Sequence, residues 1–332
     1  MALVTLSSGK SFQANDASSI LDAASQSNIS LPYSCNTGRC GTCKCKVTSG
    51  ETRSLHPEIG LTEKEKTEGW ILSCVRAVKT DLQIEVADLG SIELPAPKIF
   101  PCRIITISPL AADVVRVLLR LPSDTNFSFI PGQHIEVIGP NGVRRSYSLA
   151  NTNFSDQSLE LHIRAVDGGA MSDYWFRHAK PNDILRLNGP LGTFFLRETA
   201  RLDLIFLATG TGIAPVKAML ESMANIQADQ KPNSVTVLWG GRKTQDLYFD
   251  VTQIPVTHTY IPVLSRPLDN WIGDKGYIQD VLLSKKPNLT KAAVYACGSN
   301  AMIQSAMIRL VEAGLPAKCF YSDAFVSSGI NL

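Results

Sequence analysis

Residues 35–43 read Cys35-Asn-Thr-Gly-Arg-Cys40-Gly-Thr-Cys43, and a fourth cysteine, Cys74, follows after 30 intervening positions. The chain has eight cysteines in 332 residues, at 35, 40, 43, 45, 74, 102, 297 and 319. Half of them crowd into one short segment and the rest are scattered, which is not the even spread of a disulfide framework. A clustered set in a chain this long reads first as a metal site. The composition is ordinary for a globular protein, 44% hydrophobic and 19% charged, with material for two or three cores. The formal charge of +2 provides no broad basic surface, so nucleic acid is excluded as a partner.

The spacing C-x4-C-x2-C with a distant fourth Cys is that of a [2Fe–2S] site. Two irons need four thiolates, three from one loop and one from beyond it. Gly38 and Gly41 let the backbone pass close enough to aim amide N–H groups at the sulfurs. The competing reading is a structural zinc site, but zinc usually takes two paired knuckles rather than a triple and a single. The expected ligands are therefore Cys35, Cys40, Cys43 and Cys74, and Cys45 is read as a small packed side chain. Residues 1–90 resemble a plant-type ferredoxin domain, which implies a β-grasp fold. They carry nine Lys and Arg against ten Asp and Glu, far less acidic than free ferredoxins of that type. A tethered domain needs little charge to meet its reductase, because the tether sets the effective concentration.

Outward from the cysteine loop, residues 91–101 hold Pro95, Pro97 and Pro101 and read as a stiff extended linker, set at 91–100. From 101 to 200, turn-bounded segments rich in β-branched residues (RIITISP, VVRVLLRL, HIEVIG, SLELHIRAV, ILRLNGP) predict an antiparallel β-barrel. From 201 to 332 the apolar strands LDLIFLATG, SVTVLWGG, THTYIPVL and AAVYACGS alternate with helical stretches at 214–225, 276–284 and 300–313. That alternation predicts a doubly wound parallel sheet. The fold class is thus multidomain, α+β followed by α/β.

Within the barrel segment, Arg145 and Tyr147 of Arg145-Ser-Tyr147-Ser148 share one face of a strand and Ser148 takes the other. A forked guanidinium suits a pyrophosphate, and a tyrosine ring can lie flat on a fused aromatic system. Gly168-Gly169-Ala170-Met171-Ser172 precedes a helical stretch, with Ser172 read as its N-cap, and a helix start is an anion site. Gly189-Pro-Leu-Gly-Thr-Phe194 closes the segment. The order R-x-Y-S, G-x-M-S, G-P-x-G resembles the FAD domain of the ferredoxin–NADP reductase superfamily. The resemblance implies that Arg145 and the turn Gly169, Ala170, Met171 and Ser172 bind FAD phosphates. It also implies that Tyr147 stacks on the isoalloxazine and Ser148 approaches its N5.

Thr209-Gly210-Thr211-Gly212-Ile-Ala-Pro215 sits between the strand LIFLA and a helix, where glycines admit a dinucleotide pyrophosphate. Pro215 replaces the third glycine, as it does in that superfamily. Trp239-Gly-Gly-Arg242 ends the next strand, where an adenine ribose would lie; Arg242 suits a 2′-phosphate, so NADPH stays open beside NADH. Asp246-Leu-Tyr-Phe249 resembles the adenine-side segment of such reductases. Cys297-Gly-Ser-Asn-Ala-Met302 ends a further strand and matches the cysteine placed beside the nicotinamide. The segment Phe320–Phe325 resembles the aromatic tail near the flavin, with Phe325 as the candidate residue.

The whole chain resembles reductases with a fused ferredoxin domain. NADH donates a hydride, a [2Fe–2S] cluster takes one electron, and a flavin must stand between them. The expected reaction is electron flow from NADH through FAD and the cluster to an outside protein. The expected activity is that of a ferredoxin–NAD(+) reductase type oxidoreductase, with Ser148 and Cys297 adjusting the geometry. Two acceptors fit the resemblance: a pyridoxamine-phosphate sugar dehydrase of dideoxysugar biosynthesis, or the oxygenase component of an aromatic-ring or alkane oxygenase. Two readings of other kinds are a non-catalytic redox sensor and a flavin-only diaphorase with zinc in its first domain. The histidines at 56, 134, 162, 178 and 258 show no ligand spacing and read as surface or packed residues. No apolar run is long enough for a membrane span and no secretory signal is visible, so a cytoplasmic location is expected.

Overall fold

A computed structural model describes residues 1–90, 92–152 and 158–326 of the chain. It forms two compact units, Met1–Leu94 with the residues from Asp323 on, and Pro95–Ser322.

In the first unit, apolar–polar alternation makes the strands. β1 (Ala2–Leu6) buries Ala2, Val4 and Leu6 and returns as β2 (Ser11–Ala14), which buries Phe12 and Ala14. Such alternation belongs to strands with one face on a core. α1 (Ile20–Gln26) starts where the Ser19 hydroxyl accepts from the Asp22 N–H, and it buries Ile20, Leu21, Ala23 and Ala24. Five more strands follow: β3 (Lys44–Ser49), β4 (Thr52–Ser54), β5 (Trp70–Leu72), β6 (Arg76–Val78) and β7 (Leu82–Glu85). The main sheet runs β2-β1-β7-β3-β5, with β1 and β7 parallel, and β4 and β6 form a separate ribbon. This is the expected β-grasp arrangement. α2 (Glu63–Thr67) carries a Thr62–Glu65 capping box and buries nothing.

The second unit opens with six strands: β8 (Lys98–Ala111), β9 (Val114–Arg120), β10 (His134–Ile138), β11 (Arg144–Ser148), β12 (Ser158–Arg164) and β13 (Ile184–Leu191). Their order is β11-β10-β13-β8-β9-β12, all neighbours are antiparallel, and a bridge between Leu149 and Leu161 joins the two edges into a barrel. Val117, Leu119, Ile135, Val137, Leu161 and Leu187 fill its interior. One expectation fails here. β8 begins at Lys98, inside the segment read as linker. Pro101 is tolerated because β8 there pairs only with β13, at Arg186, and pairing to β9 starts at Arg103. α3 (Ala170–Asp173) runs into a single wide turn, Tyr174–His178, that buries Trp175.

The remaining elements are β14 (Asp203–Thr209), α4 (Ile213–Ser222), β15 (Ser234–Gly241), β16 (Thr259–Leu264), β17 (Asp274–Lys275), α5 (Ile278–Ser284), β18 (Ala292–Ser299), α6 (Asn300–Glu312) and β19 (Phe320–Phe325). The sheet order is β17-β16-β15-β14-β18-β19, parallel from β17 through β18. Leu204 to Ala208 are all buried, the unbroken apolar run of a strand covered on both faces. β14 pairs with β15 on one side and β18 on the other, so the sheet changes direction there, and ligands collect at the carboxyl ends of such strands. Among the described residues no helix is long and apolar enough to cross a membrane.

Candidate functional site

The loop 35–43 and the tight turn Ser73–Val75 bring four thiols together in two pairs. Cys43 Sγ donates to Cys74 Sγ at 3.1 Å. Cys35 Sγ accepts the Cys40 N–H at 3.4 Å and the Thr37 N–H at 3.5 Å. The hydrogen bond between the two side chains brings the Cys35 thiol down to about 4 and pushes the Cys40 thiol, its donor, up. In the other pair the bond from Cys43 lowers Cys74 and raises Cys43. Among the described residues no three ligand side chains gather round one point. The four thiols are the soft donor set that a cluster of two irons would take, with two sulfurs to each iron. Gly38 has φ +71° and a Cβ there would strike the Pro57 carbonyl oxygen, so the loop closes only with glycine. Cys45 is fully buried in the core, where desolvation raises its thiol to about 12, the state of an inert packed side chain.

β11 lies against β10 in the register Val137–Arg145, Ile135–Tyr147 and His134–Ser148. Arg144 and Ser146 are exposed, Arg145 and Tyr147 are half-buried on the opposite face, and Ser148 is buried. The Trp175 Nε1–H donates to the Tyr147 hydroxyl at 3.0 Å with the rings edge-on at 81°. Burial raises the Tyr147 phenol to about 12, so it stays neutral. The expected N-cap is displaced: Gly169 caps α3, and Ser172 sits inside the first turn, its Oγ accepting the Val166 N–H at 2.9 Å. Ser172 therefore shapes the turn that precedes the helix through its oxygen, which accepts from the backbone. Beside this turn lies a cleft of about 430 Å3 lined by Pro140, Asn141, Val143, Ala170, Met171 and Tyr174, among others.

The carboxyl ends of β14, β15 and β18 meet at one place. Thr209 Oγ1 accepts the Ser299 N–H at 3.3 Å, and the Trp239 Nε1–H donates to the Gly210 carbonyl at 3.0 Å. A Cβ on Gly212 would strike the Cys297 carbonyl oxygen, so the turn Gly210–Gly212 is held tight against the end of β18. Cys297 itself is fully buried. The side chain of Arg242 is exposed, and its backbone N–H donates to Asp246 Oδ2 at 2.7 Å. Phe325 ends β19 with 40% of its surface exposed and belongs to the unit of the cysteine loop.

Sequence reasoning missed two features of this unit. Arg164, at the end of β12, brings its guanidinium beside Gly210, with a Cβ position there 3.5 Å from Nη1. It is held by Asp113 at 3.4 Å and Asp246 at 3.7 Å. The second is a buried charge network. Glu160 meets His162 Nε2 at 2.8 Å, Arg116 at 3.3 Å and Lys217 at 3.4 Å, and His162 Nδ1 lies 3.1 Å from the Tyr248 hydroxyl. Burial opposes the Glu160 charge, yet these partners outweigh it and bring the carboxyl down to about 2. Burial also lowers His162, which stays neutral and passes a hydrogen bond from Tyr248 to Glu160.

Three family models match the chain in succession. The 2Fe-2S iron-sulfur cluster binding domain matches residues 4–79, the oxidoreductase FAD-binding domain 101–196 and the oxidoreductase NAD-binding domain 206–307. The chain is 39% identical over 326 residues, 97% of each protein, to CDP-6-deoxy-L-threo-D-glycero-4-hexulose-3-dehydrase reductase of Yersinia pestis. It is 31% identical, over 93% of each chain, to reductase component 1 of the terephthalate 1,2-dioxygenase of a Comamonas species. Among solved structures, the cytochrome P450 reductase GcoB of Amycolatopsis superposes with a TM-score of 0.75 at 28% identity, over 98% of this chain and 99% of that one.

Proposed function

The chain belongs to the family of electron-transfer reductases that carry a [2Fe–2S] ferredoxin domain, an FAD domain and an NAD domain on one polypeptide, and from that premise we propose that it serves a sugar dehydrase. In this reading it is a CDP-6-deoxy-Δ3,4-glucoseen reductase. It uses NADH and passes electrons to a pyridoxamine-phosphate enzyme that holds the sugar intermediate. The observation that carries this choice is the 39% identity over nearly the whole chain to a dehydrase reductase, against 31% to a dioxygenase reductase.

When bound, FAD supplies the conversion of a two-electron donor into single electrons. The protein's own groups position and separate the cofactors. The thiolates of Cys35, Cys40, Cys43 and Cys74 hold the cluster within residues 1–90. Within 101–200, Arg145 and the turn 169–172 neutralise the FAD diphosphate, Tyr147 backs its ring system, and the Ser148 hydroxyl faces the reacting edge. Within 201–332, the Gly210–Gly212 turn receives the nucleotide diphosphate with Arg164 beside it. Arg242 lies on the adenosine side and Cys297 lines the nicotinamide position. Phe325 covers the flavin by resemblance alone. A cytoplasmic location follows from the same reading.

A second reading, supply of an oxygenase component, is favoured by the likeness to the terephthalate dioxygenase and cytochrome P450 reductases. Reconstitution separates the two. The holoenzyme is mixed with NADH and either a purified CDP-sugar dehydrase or a ring-hydroxylating oxygenase, and NADH consumed per product is measured. Coupled turnover with the dehydrase alone supports the first reading, and coupling to the oxygenase alone replaces it with the second.

A further inference from the structure

Glu58 is an acidic side chain held almost wholly out of water in the ferredoxin unit, with 4% of its side chain exposed. Its two oxygens do different things. Oε1 accepts the Leu72 N–H at 2.7 Å, and Oε2 accepts Arg76 Nε at 3.0 Å and Nη2 at 2.6 Å. Leu72 and Arg76 stand two residues before and two residues after Cys74. The carboxylate therefore spans the base of the turn from which Cys74 projects. Arg76 is anchored in addition by Thr52 Oγ1 at 3.2 Å.

The backbone around Glu58 does the same for the other three ligands. The Gly60 N–H donates to the Gly38 carbonyl at 2.8 Å, and the Pro57 carbonyl lies where a Gly38 side chain would be. Segment 57–60 thus touches the three-cysteine loop through its main chain and the Cys74 turn through its one carboxylate. We propose that Glu58, with Arg76 as counter-charge, is a positioning residue that fixes Cys74 relative to Cys35, Cys40 and Cys43. Outer-sphere partners of metal ligands set orientation and local field, and their loss changes affinity by about 10- to 100-fold. A buried carboxylate is retained in such a place only because it is paired, and breaking the pair from either side leaves one uncompensated charge. The sign of that charge differs between the two sides. Without the Glu58 charge, a guanidinium faces the cluster domain and favours the more negative reduced cluster. Without Arg76, a carboxylate remains and disfavours it.

The inference rests on the assignment of the four cysteines as cluster ligands, and its test separates the two. Glu58→Gln and Arg76→Gln are prepared in the full chain beside wild type. Three properties are read: iron release to a chelator, the EPR spectrum of the reduced cluster and the cluster midpoint potential. The expected result is a midpoint potential raised in Glu58→Gln and lowered in Arg76→Gln, with iron released about tenfold faster in both. Potentials that do not move, or that move in the same direction, overturn the proposal even if both variants melt early. If Glu58→Gln fails to fold, Glu58→Asp carries the test, since it keeps the charge and shortens the reach. Faster iron release then supports the positioning role and wild-type release overturns it. A wild-type protein without iron and acid-labile sulfide contradicts the ligand assignment instead.

Discussion

The Trp175 Nε1–H donates to the Tyr147 hydroxyl oxygen at 3.0 Å, tying the turn after α3 to strand β11. Trp175 is 2% exposed, so its indole N–H has no water to fall back on, and the bond fixes the ring that the flavin reading assigns to the isoalloxazine.

Tyr147→Phe is therefore expected to weaken FAD retention while leaving the ring in place. The orphaned indole N–H costs about 1–3 kcal/mol, and part of that appears as looser flavin binding. Fluorescence titration of apoprotein with FAD should show a dissociation constant raised about fivefold or more. Equal affinities and equal melting temperatures would mean that the Trp175 bond anchors nothing.

Arg164 leads to a second expectation. Its guanidinium lies against the Gly210 turn and is already oriented by Asp113 and Asp246. A charge-assisted bond to a diphosphate contributes about 1.5–3 kcal/mol. Arg164→Gln should raise KM for NADH about tenfold or more, with kcat for ferricyanide reduction largely kept. A loss confined to kcat, with KM unchanged, would place Arg164 outside the nucleotide site.

The order of electron flow is tested at Cys40. Cys40→Ser removes one sulfur of the Cys35–Cys40 pair, and a serine hydroxyl is a poor replacement for a soft ligand. Cytochrome c reduction should be abolished while ferricyanide reduction by NADH persists, because hydride transfer to the flavin needs no cluster. Equal loss of both activities contradicts a relay in which the cluster comes last.

Strands β15 and β18 were legible in the sequence to the residue, since each is a mostly apolar run that stops at glycine or a polar residue. The iron-sulfur domain was legible for a different reason: the spacing of its cysteines within one loop is itself the signal. Other features depend on partners that the local pattern does not contain. Pro97 and Pro101 signal a linker, yet Lys98 to Pro101 join β8 because that edge pairs on one side only. Ser172 has the composition of an N-cap, but Gly169 takes the position once the Val166 N–H claims the serine hydroxyl. His162 reads as a surface or packed residue, and no motif marks Glu58, Glu160 or Lys217. Glu58 and Lys217 meet their partners only in the fold, and His162 gains Tyr248 from far along the chain.

The Glu160 network makes the second unit sensitive to acid. The carboxyl falls from 4.5 to about 2 on folding, so ionised Glu160 adds stability above its unfolded value, and this is lost as pH drops from 4.5 toward 2. That fall corresponds to roughly 3 kcal/mol at neutral pH. His162 acts in the same direction: its folded value lies below 6.5, so the unfolded chain takes up its proton first and stability declines below 6.5. Glu160→Gln leaves Arg116 and Lys217 without their shared carboxylate, so it should be less stable than wild type at pH 7. Its midpoint should also change less between pH 5 and pH 3. Flavin release followed by fluorescence during thermal melts, from pH 8 to pH 3, reports this unit directly. Parallel profiles for wild type and variant would show that the Glu160 charge contributes nothing to the pH dependence of the fold.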